Sequence, residues 1–395
     1  IITFDDSEIH HTPRGMEVYS DSAFAMRNNS FVSTSIFALN MHGAGQIDAT
    51  RNWWGDESGP LPAGRGEIVA GNVLYDPWIG KRDPVILIPG ILGTEMWRGE
   101  ELLWPNALAM LFSPSDDFMD PLGMSEGGGS QYTDVLYGDV IREVDYIAGS
   151  FIYLDSLISN FENSGYNENI DLFVFPYDWR LDIKTNSGRL NDKIVEILAQ
   201  TGADKVDIMA HSMGGVLTKQ YVVDYGGNDA DTIIFVGTPH MGSPDAAKTL
   251  LFGSDAGMAF GPISLLNQAE IKKIARNMTS VYQLLPSERY FSDVGRYFDD
   301  LTQPLVPDYS ATMDFLATQD LNESHLSRAD AFSSALDNFA IHEDVNAFSI
   351  SGCKEPKRGQ IIRRNSGVED EYALGFIAGD GTVPLGSSDA LDLPT

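Results

Sequence analysis
From Pro84 onward, short unbroken apolar runs alternate with stretches of helical period. The runs are Pro84-Val85-Ile86-Leu87-Ile88, Leu172-Phe173-Val174-Phe175, Lys205-Val206-Asp207-Ile208-Met209, Thr232-Ile233-Ile234-Phe235-Val236 and residues 346–350. The first two, apolar without alternation, predict buried strands of a parallel sheet, and the others read as further strands. Between them, Phe151, Leu154, Leu157, Ile158 and Phe161 fall on one helical face, with Gly165 as a stop. Leu190, Ile194, Ile197 and Leu198 mark a second helix, ended near Gly202, and Val216, Gln220 and Val223 share a row on a third. Strands alternating with helices predict an α/β fold built on a mostly parallel, doubly wound sheet.

Two stretches break this alternation. Residues 95–150 and 241–345 are long enough to be caps or lids over a site. Leu250-Leu251-Phe252 and Met258-Ala259-Phe260 are candidates either for apolar lid surface or for ordinary cap core.

Residues 1–80 read differently. They are rich in Asn, Ser, Asp and Gly, with short β-type runs, and carry a repeat of about 22 residues. Ile9, Phe31 and Trp53 fall at that spacing, as do Glu8, Ser30 and Asn52. Such a period suits one turn of a β-solenoid whose inward side chains stack between coils. The stretch from Asn52 to Pro60, followed by Gly71 to Trp78, resembles the terminal coil of right-handed parallel β-helix repeats in bacterial surface proteins. The alternative is a loop-rich β segment packed on the main domain. The division is then 1–80 for the coils and 81–395 for the α/β domain.

Composition narrows the functional classes. A net charge of −31 over 395 residues excludes a basic nucleic-acid footprint and suits a soluble extracellular or cell-surface protein. No stretch is long and apolar enough to span a membrane. The lone cysteine, Cys353, permits no internal disulfide and, after the apolar run 347–350, is expected to pack as a small buried residue. The chain opens on Ile1 in the middle of a pattern, as expected for a piece of a longer product. No signature of an oligomeric state is present.

The chemistry concentrates in Ala210-His211-Ser212-Met213-Gly214-Gly215, between a strand and a helix. A serine followed by glycines at such a junction is the pattern of a nucleophile elbow. The turn lifts the Ser212 hydroxyl off the sheet, and the helix N-terminus offers N–H groups to an oxyanion. Met213 N–H is one expected donor. The second is expected from Ile91, in the glycine-bounded turn Pro89-Gly90-Ile91-Leu92-Gly93-Thr94. An orienting carboxylate should follow the serine in the chain, and Asp380 in Gly379-Asp380-Gly381-Thr382-Val383-Pro384 fits. Tyr177-Asp178-Trp179-Arg180 follows a strand and so points to the same rim, as does His240. Asp178 precedes the serine and is expected to fix its loop, with Arg180 paired to an acid or a carbonyl.

Five motifs in order now support a resemblance: the run 84–93, Tyr177-Asp178-Trp179-Arg180, the elbow, Gly237-Thr238-Pro239-His240-Met241-Gly242-Ser243, and the 379–384 turn. Together they resemble the lecithin:cholesterol acyltransferase family, whose relatives include lysosomal phospholipase A2 and bacterial lipase-like proteins. The resemblance covers about residues 84–385. It implies an α/β-hydrolase fold, a Ser-Asp-His triad and acyl-ester substrates, often lipids, with no metal or cofactor. Ser212 is then the nucleophile, Asp380 the acid, and Ile91 and Met213 the oxyanion donors.

One departure stands out. None of the seven histidines follows Asp380. His211 adjoins the nucleophile, where the elbow should turn it away. His240 belongs to a structural loop of the family, and His325 and His342 lie in the cap and in an acidic stretch. The expectation is a triad histidine beyond Thr395, hence a truncated site. The leading function is a serine hydrolase or acyltransferase of lipid esters acting through an acyl-Ser212. The competing one, from another class, is an inactive surface adhesion or glycan-binding protein that uses the β-helix.

Overall fold
Five strands form the central sheet in the order β2-β1-β3-β4-β5: β1 (Val85–Ile88), β2 (Leu172–Val174), β3 (Val206–His211), β4 (Ala230–Val236) and β5 (Asn346–Ile350). This computed structural model describes all residues except 1–2, 6, 28, 57–58, 77, 79–82, 114, 147–148, 153, 254–258, 261–262, 265, 303–307, 338, 366–369, 392 and 394–395. The β1–β3 and β4–β5 pairings are parallel. All four residues of β1 are buried, which is why its sequence shows no alternation. From β1 the chain crosses to β2 on one side, then returns to β3 on the other. The loops leaving β1 and β3 therefore diverge, the arrangement at which open α/β sheets bind ligands beyond the carboxyl ends of their strands.

By contact density the described residues divide into two units: Ile1–Pro84 with Phe161–Leu172 and Val195–Val206, and the remainder. The expected boundary at residue 80 or 81 lies outside the described residues.

Helix α1 (Asp155–Asn163) starts later than the periodicity suggests. The backbone of Phe151 is instead paired antiparallel with Val144, and the N–H groups of Leu154 and Asp155 turn to the carbonyl of Arg142. Helix α2 (Ile183–Thr201) stops at Gly202, which takes a positive φ of 65°. Helix α3 (Met213–Tyr225) follows β3 directly, and its first ten residues are all buried. Helix α4 (Pro244–Phe252) buries Leu250 and Leu251, so these belong to the core and not to an exposed lid. Met258 lies outside the described residues, as do the side chains of Ala259 and Phe260.

After β5 the chain makes a long excursion before the acid turn. Strands β6 (Glu355–Asn365) and β7 (Asp370–Gly379) pair antiparallel. Cys353 sits between β5 and β6, beyond the last β4–β5 pair at Ile350, and is exposed. It is thus not the buried residue expected, because the apolar run ends with the strand.

The N-terminal strands pair in parallel across successive repeats. Thr3–Asp5, Phe24–Arg27, Ile47–Asp48 and Val73–Leu74 line one sheet, and Arg14–Tyr19, Phe37–His42 and Val69–Ala70 another. Ile9 lies opposite Phe31, at the spacing read from sequence. The next repeat is one residue longer: Ser30 bridges Trp53, and the Phe31 ring stacks on Trp54, not Trp53, at 4.7 Å. The buried asparagines follow the same longer step. Asn29 N–H donates to Asn52 Oδ1 at 2.8 Å, and Asn52 Nδ2 donates to the carbonyls of Met26 and Ala49. Short amide side chains here satisfy backbone groups at and just beyond the ends of strands.

Candidate active site
Ser212 has φ 52° and ψ −123°, a conformation that costs a non-glycine residue about 1–3 kcal/mol. Close packing on both sides holds it there. Its N–H donates to Val236 O at 2.9 Å, and its carbonyl accepts from Gly215 N–H at 2.9 Å. A Cβ on Gly214 would lie 2.5 Å from Pro89 O, and one on Gly215 would lie 1.9 Å from Thr238 Oγ1. Only glycines let α3 start this close to β1 and to the loop after β4. Ser212 caps α3, so Met213 N–H is the first helical donor, at the positive end of the helix.

The turn after β1 faces the serine. A Cβ on Gly90 would stand 2.9 Å from Ser212 Cβ and 3.3 Å from its Oγ. Gly93 N–H closes the turn on Gly90 O at 3.1 Å, and Leu92 takes a positive φ of 64°. Ile91 occupies the segment between them. The 177–180 segment buttresses this turn. Tyr177 OH donates to Pro89 O at 2.9 Å, Tyr177 N–H to Thr94 Oγ1 at 3.2 Å, and Trp179 Nε1–H to Thr94 O at 3.0 Å. Trp104 Nε1–H holds Leu92 O at 2.8 Å.

Asp178, Trp179 and His240, the candidate rim residues of the sequence reading, are all buried. Arg180 grips Asp178 with two parallel bonds, Nε to Oδ1 at 2.9 Å and Nη2 to Oδ2 at 2.8 Å, and its Nη1 donates to Leu122 O at 3.2 Å. Both polar groups are thereby satisfied inside the protein, which is the loop-fixing role read from sequence.

Asp380 sits on a tight turn that bridges Gly379 to Pro384. Its Oδ1 accepts N–H bonds from Thr382 at 2.8 Å and Val383 at 2.6 Å. Oδ2 comes within 3.2 Å of where a Cβ on Gly237 would be. Val236 thus touches Ser212 through its carbonyl, and the next residue, Gly237, lies against Asp380. The structure brings Ser212, the 89–94 turn and Asp380 to the carboxyl ends of β1, β3 and β4.

No hydrogen bond joins Ser212 Oγ to a histidine among the described residues. His211 keeps an exposed surface, yet protein packed about its ring lowers its pKa, opposed by the Asp380 carboxylate. His240 is buried edge-on to Phe235 at 5.0 Å, with neither ring nitrogen bonded among the described residues. Burial, with the charges of Lys219 and Arg289, holds its pKa well below the usual range, so it is neutral. After α5 (Tyr309–Ala317), His325 lies on α6 (Glu323–Asp337), packed against Gly128 and Arg328, and His342 faces Asp344 at the surface.

Lys219, on α3, escaped the sequence reading. It is almost wholly buried and donates to His240 O at 3.2 Å. Its only sequence signal is a cation seven residues past the nucleophile in an otherwise buried helix. Burial pushes its pKa down to about 8, Asp337 pulling it up and Arg289 down. The folded state therefore releases this proton before the unfolded chain does. From about pH 8 to the ordinary lysine value of 10.5 the unfolded state binds more protons, and stability rises with pH. Urea unfolding across that window should show the wild type gaining stability relative to Lys219→Met. Parallel curves for the two proteins would contradict a buried, charged Lys219.

Over residues 140–349, a little more than half its length, the chain matches the family model described as Lecithin:cholesterol acyltransferase. It is 24% identical over 247 residues to putative phospholipid:diacylglycerol acyltransferase 2 of Arabidopsis thaliana, covering 51% of this chain and 37% of that protein. It is 25% identical over 260 residues to phosphatidylcholine-sterol acyltransferase of Mus musculus, covering 55% of this chain and 57% of that one. The matched part spans less than two thirds of either relative. A chain in the crystal structure of the Tle4-Tli4 complex aligns with 78% of this chain and 89% of its own, at TM-score 0.49 and 15% identity.

Proposed function
The chain belongs to the lecithin:cholesterol acyltransferase family, and from that premise we propose that it cleaves or transfers the acyl group of lipid carboxylic esters through an acyl-Ser212 intermediate. The observation that carries this reading is the strained elbow at Ser212, one residue's step along β4 from the carboxylate of Asp380. Strain of this kind persists only where the surroundings enforce it, and here glycines and the 89–94 turn do so. Ser212 attacks the ester carbonyl. The oxyanion is held by Met213 N–H at the head of α3 and by Ile91 N–H in the turn after β1. In this reading Asp380 orients a histidine base and stabilises its charged form, a base that no described histidine supplies by a hydrogen bond to Ser212 Oγ. The chemistry asks for no metal or cofactor. Water as acceptor gives a lipase or phospholipase, and an alcohol gives an acyltransferase. The names of the relatives support lipid esters as the substrate class.

Residues 1–80 are, in this proposal, the terminal coils of a parallel β-helix. The parallel pairing and the stacked Phe31–Trp54 and Asn29–Asn52 pairs support it. The insertions at 95–150 and 241–345 are its cap, and the acidic charge suits an extracellular or cell-surface setting.

A fluorophosphonate probe is expected to label the full chain, with the adduct mapping to Ser212, and Ser212→Ala to remove it. Fatty acid release from phosphatidylcholine in mixed micelles should vanish in the same variant. Labelling that survives Ser212→Ala would falsify the assignment.

A further inference from the structure
Resting on that reading, we propose that Lys219 is a positioning residue, which ties the nucleophile helix to the acid turn through the 240 loop and Ser387. The path is continuous in hydrogen bonds. Lys219 Nζ, on α3, donates to the carbonyl of His240 at 3.2 Å. His240 N–H donates to Ser387 O at 3.2 Å. Met241 N–H donates to Ser387 Oγ at 3.1 Å, and that hydroxyl donates to Gly242 O at 2.8 Å. Ser387 lies in the short helix α7 (Leu385–Ser388), directly after the turn that bears Asp380. Its N–H closes on Pro384 O at 2.9 Å, and Pro384 bridges Gly379. The side chains of Lys219 and Ser387 are both buried.

Packing alone does not account for a lysine at this position. A methionine fills a similar volume without carrying a charge out of water, and replacing buried ions by apolar groups is often neutral or stabilising. What the ammonium adds is reach and a charge-assisted bond to a carbonyl of another element. Asp337 and Arg289 share the surroundings of Lys219, and the Phe339 ring lies 5.2 Å from its Nζ. The ammonium therefore has a fixed place and a directed bond. Ser212 starts the helix that carries Lys219, and Asp380 starts the segment that carries Ser387. The distance between nucleophile and acid is set by a bond neither of them makes.

The test uses Lys219→Met, Ser387→Ala and the double variant in the full chain. Each single change is expected to lower kcat for phosphatidylcholine hydrolysis about 10- to 100-fold with KM unchanged, since misplacement of about 1 Å costs that much. The double variant should be no worse than the worse single, because both cut the same path. Multiplying losses, or a raised KM with kcat intact, would overturn the proposal. Hydrogen exchange gives a readout that needs no activity. In either single variant, amides of 237–243 and 380–388 should exchange faster while those of α3 keep their protection. Unchanged exchange in both segments, or a uniform rise over the whole chain, overturns it as well. If the wild type lacks Ser212-dependent hydrolysis, the assigned function fails, and the exchange result still decides the tether. Should Lys219→Met not fold, Ser387→Ala carries the same test.

Discussion

Gly214→Ala is expected to abolish fluorophosphonate labelling of Ser212 while leaving a folded protein, weaker by about 1–3 kcal/mol. The added Cβ would fall 2.5 Å from Pro89 O and 2.7 Å from Ile88 O. Both obstacles are backbone atoms of a buried strand end, so no side chain can swing aside. The head of α3 must move off β1 instead. That motion shifts Ser212 Oγ, the Met213 N–H and the 89–94 turn relative to one another. A displacement of about 1 Å among reacting groups costs on the order of a hundredfold in rate. Labelling at the wild-type rate, with the substitution verified, would show that α3 does not need its close approach to position the nucleophile. Val222→Ala, on the same helix but remote from the elbow, supplies the contrast. It should lose stability through its cavity and keep the labelling rate.

What the sequence displays is governed by how local the constraint is. Strand β1 was legible because burial of all four residues removes polar alternation, whereas β5 was legible from its apolar residues alone, Phe348 and Ile350 being exposed. The elbow and the Asp380 turn were legible because their backbone shapes demand glycines at fixed offsets from one functional residue. Positions that acquire meaning only through a distant partner were not. Lys219 reads as a stray cation until His240 is beside it, and Ser387 as a helix serine until the 240 loop closes on it. Register in the N-terminal strands was half legible. A repeat of 22 places Phe31 over Trp53, but an extra residue in the second repeat moves the ring stack to Trp54. Two adjacent tryptophans hide that shift from sequence inspection. Cys353 misled for a similar reason: an apolar run predicts burial only as far as its strand is paired.

Asp178→Ala is expected to cost about 3–5 kcal/mol, the largest stability loss of any single change argued for this chain. Arg180 is fully buried and is paired with Asp178. Removing the carboxylate strands its guanidinium away from water, with Leu122 O as a remaining acceptor. The loss exceeds the net worth of the pair, because an uncompensated buried charge is the dominant cost. Arg180→Ala should be similarly severe, since it leaves the carboxylate. An apolar replacement of both, Asp178→Leu with Arg180→Met, should recover part of the stability. Activity should not recover with it. The pair also orders the backbone from which Tyr177 holds Pro89 and Trp179 holds Thr94, the two ends of the turn proposed to carry an oxyanion donor. Asp178 Oδ1 accepts the N–H of Arg180, and Asn186 Nδ2 donates to the carbonyl of Asp178. An apolar pair reproduces the volume but not the bond that sets this turn. Urea denaturation of the two singles and the double, alongside their Ser212 labelling rates, separates the effects. Full recovery of labelling in the double variant would mean that the ion pair supports the fold without aiming the oxyanion donors.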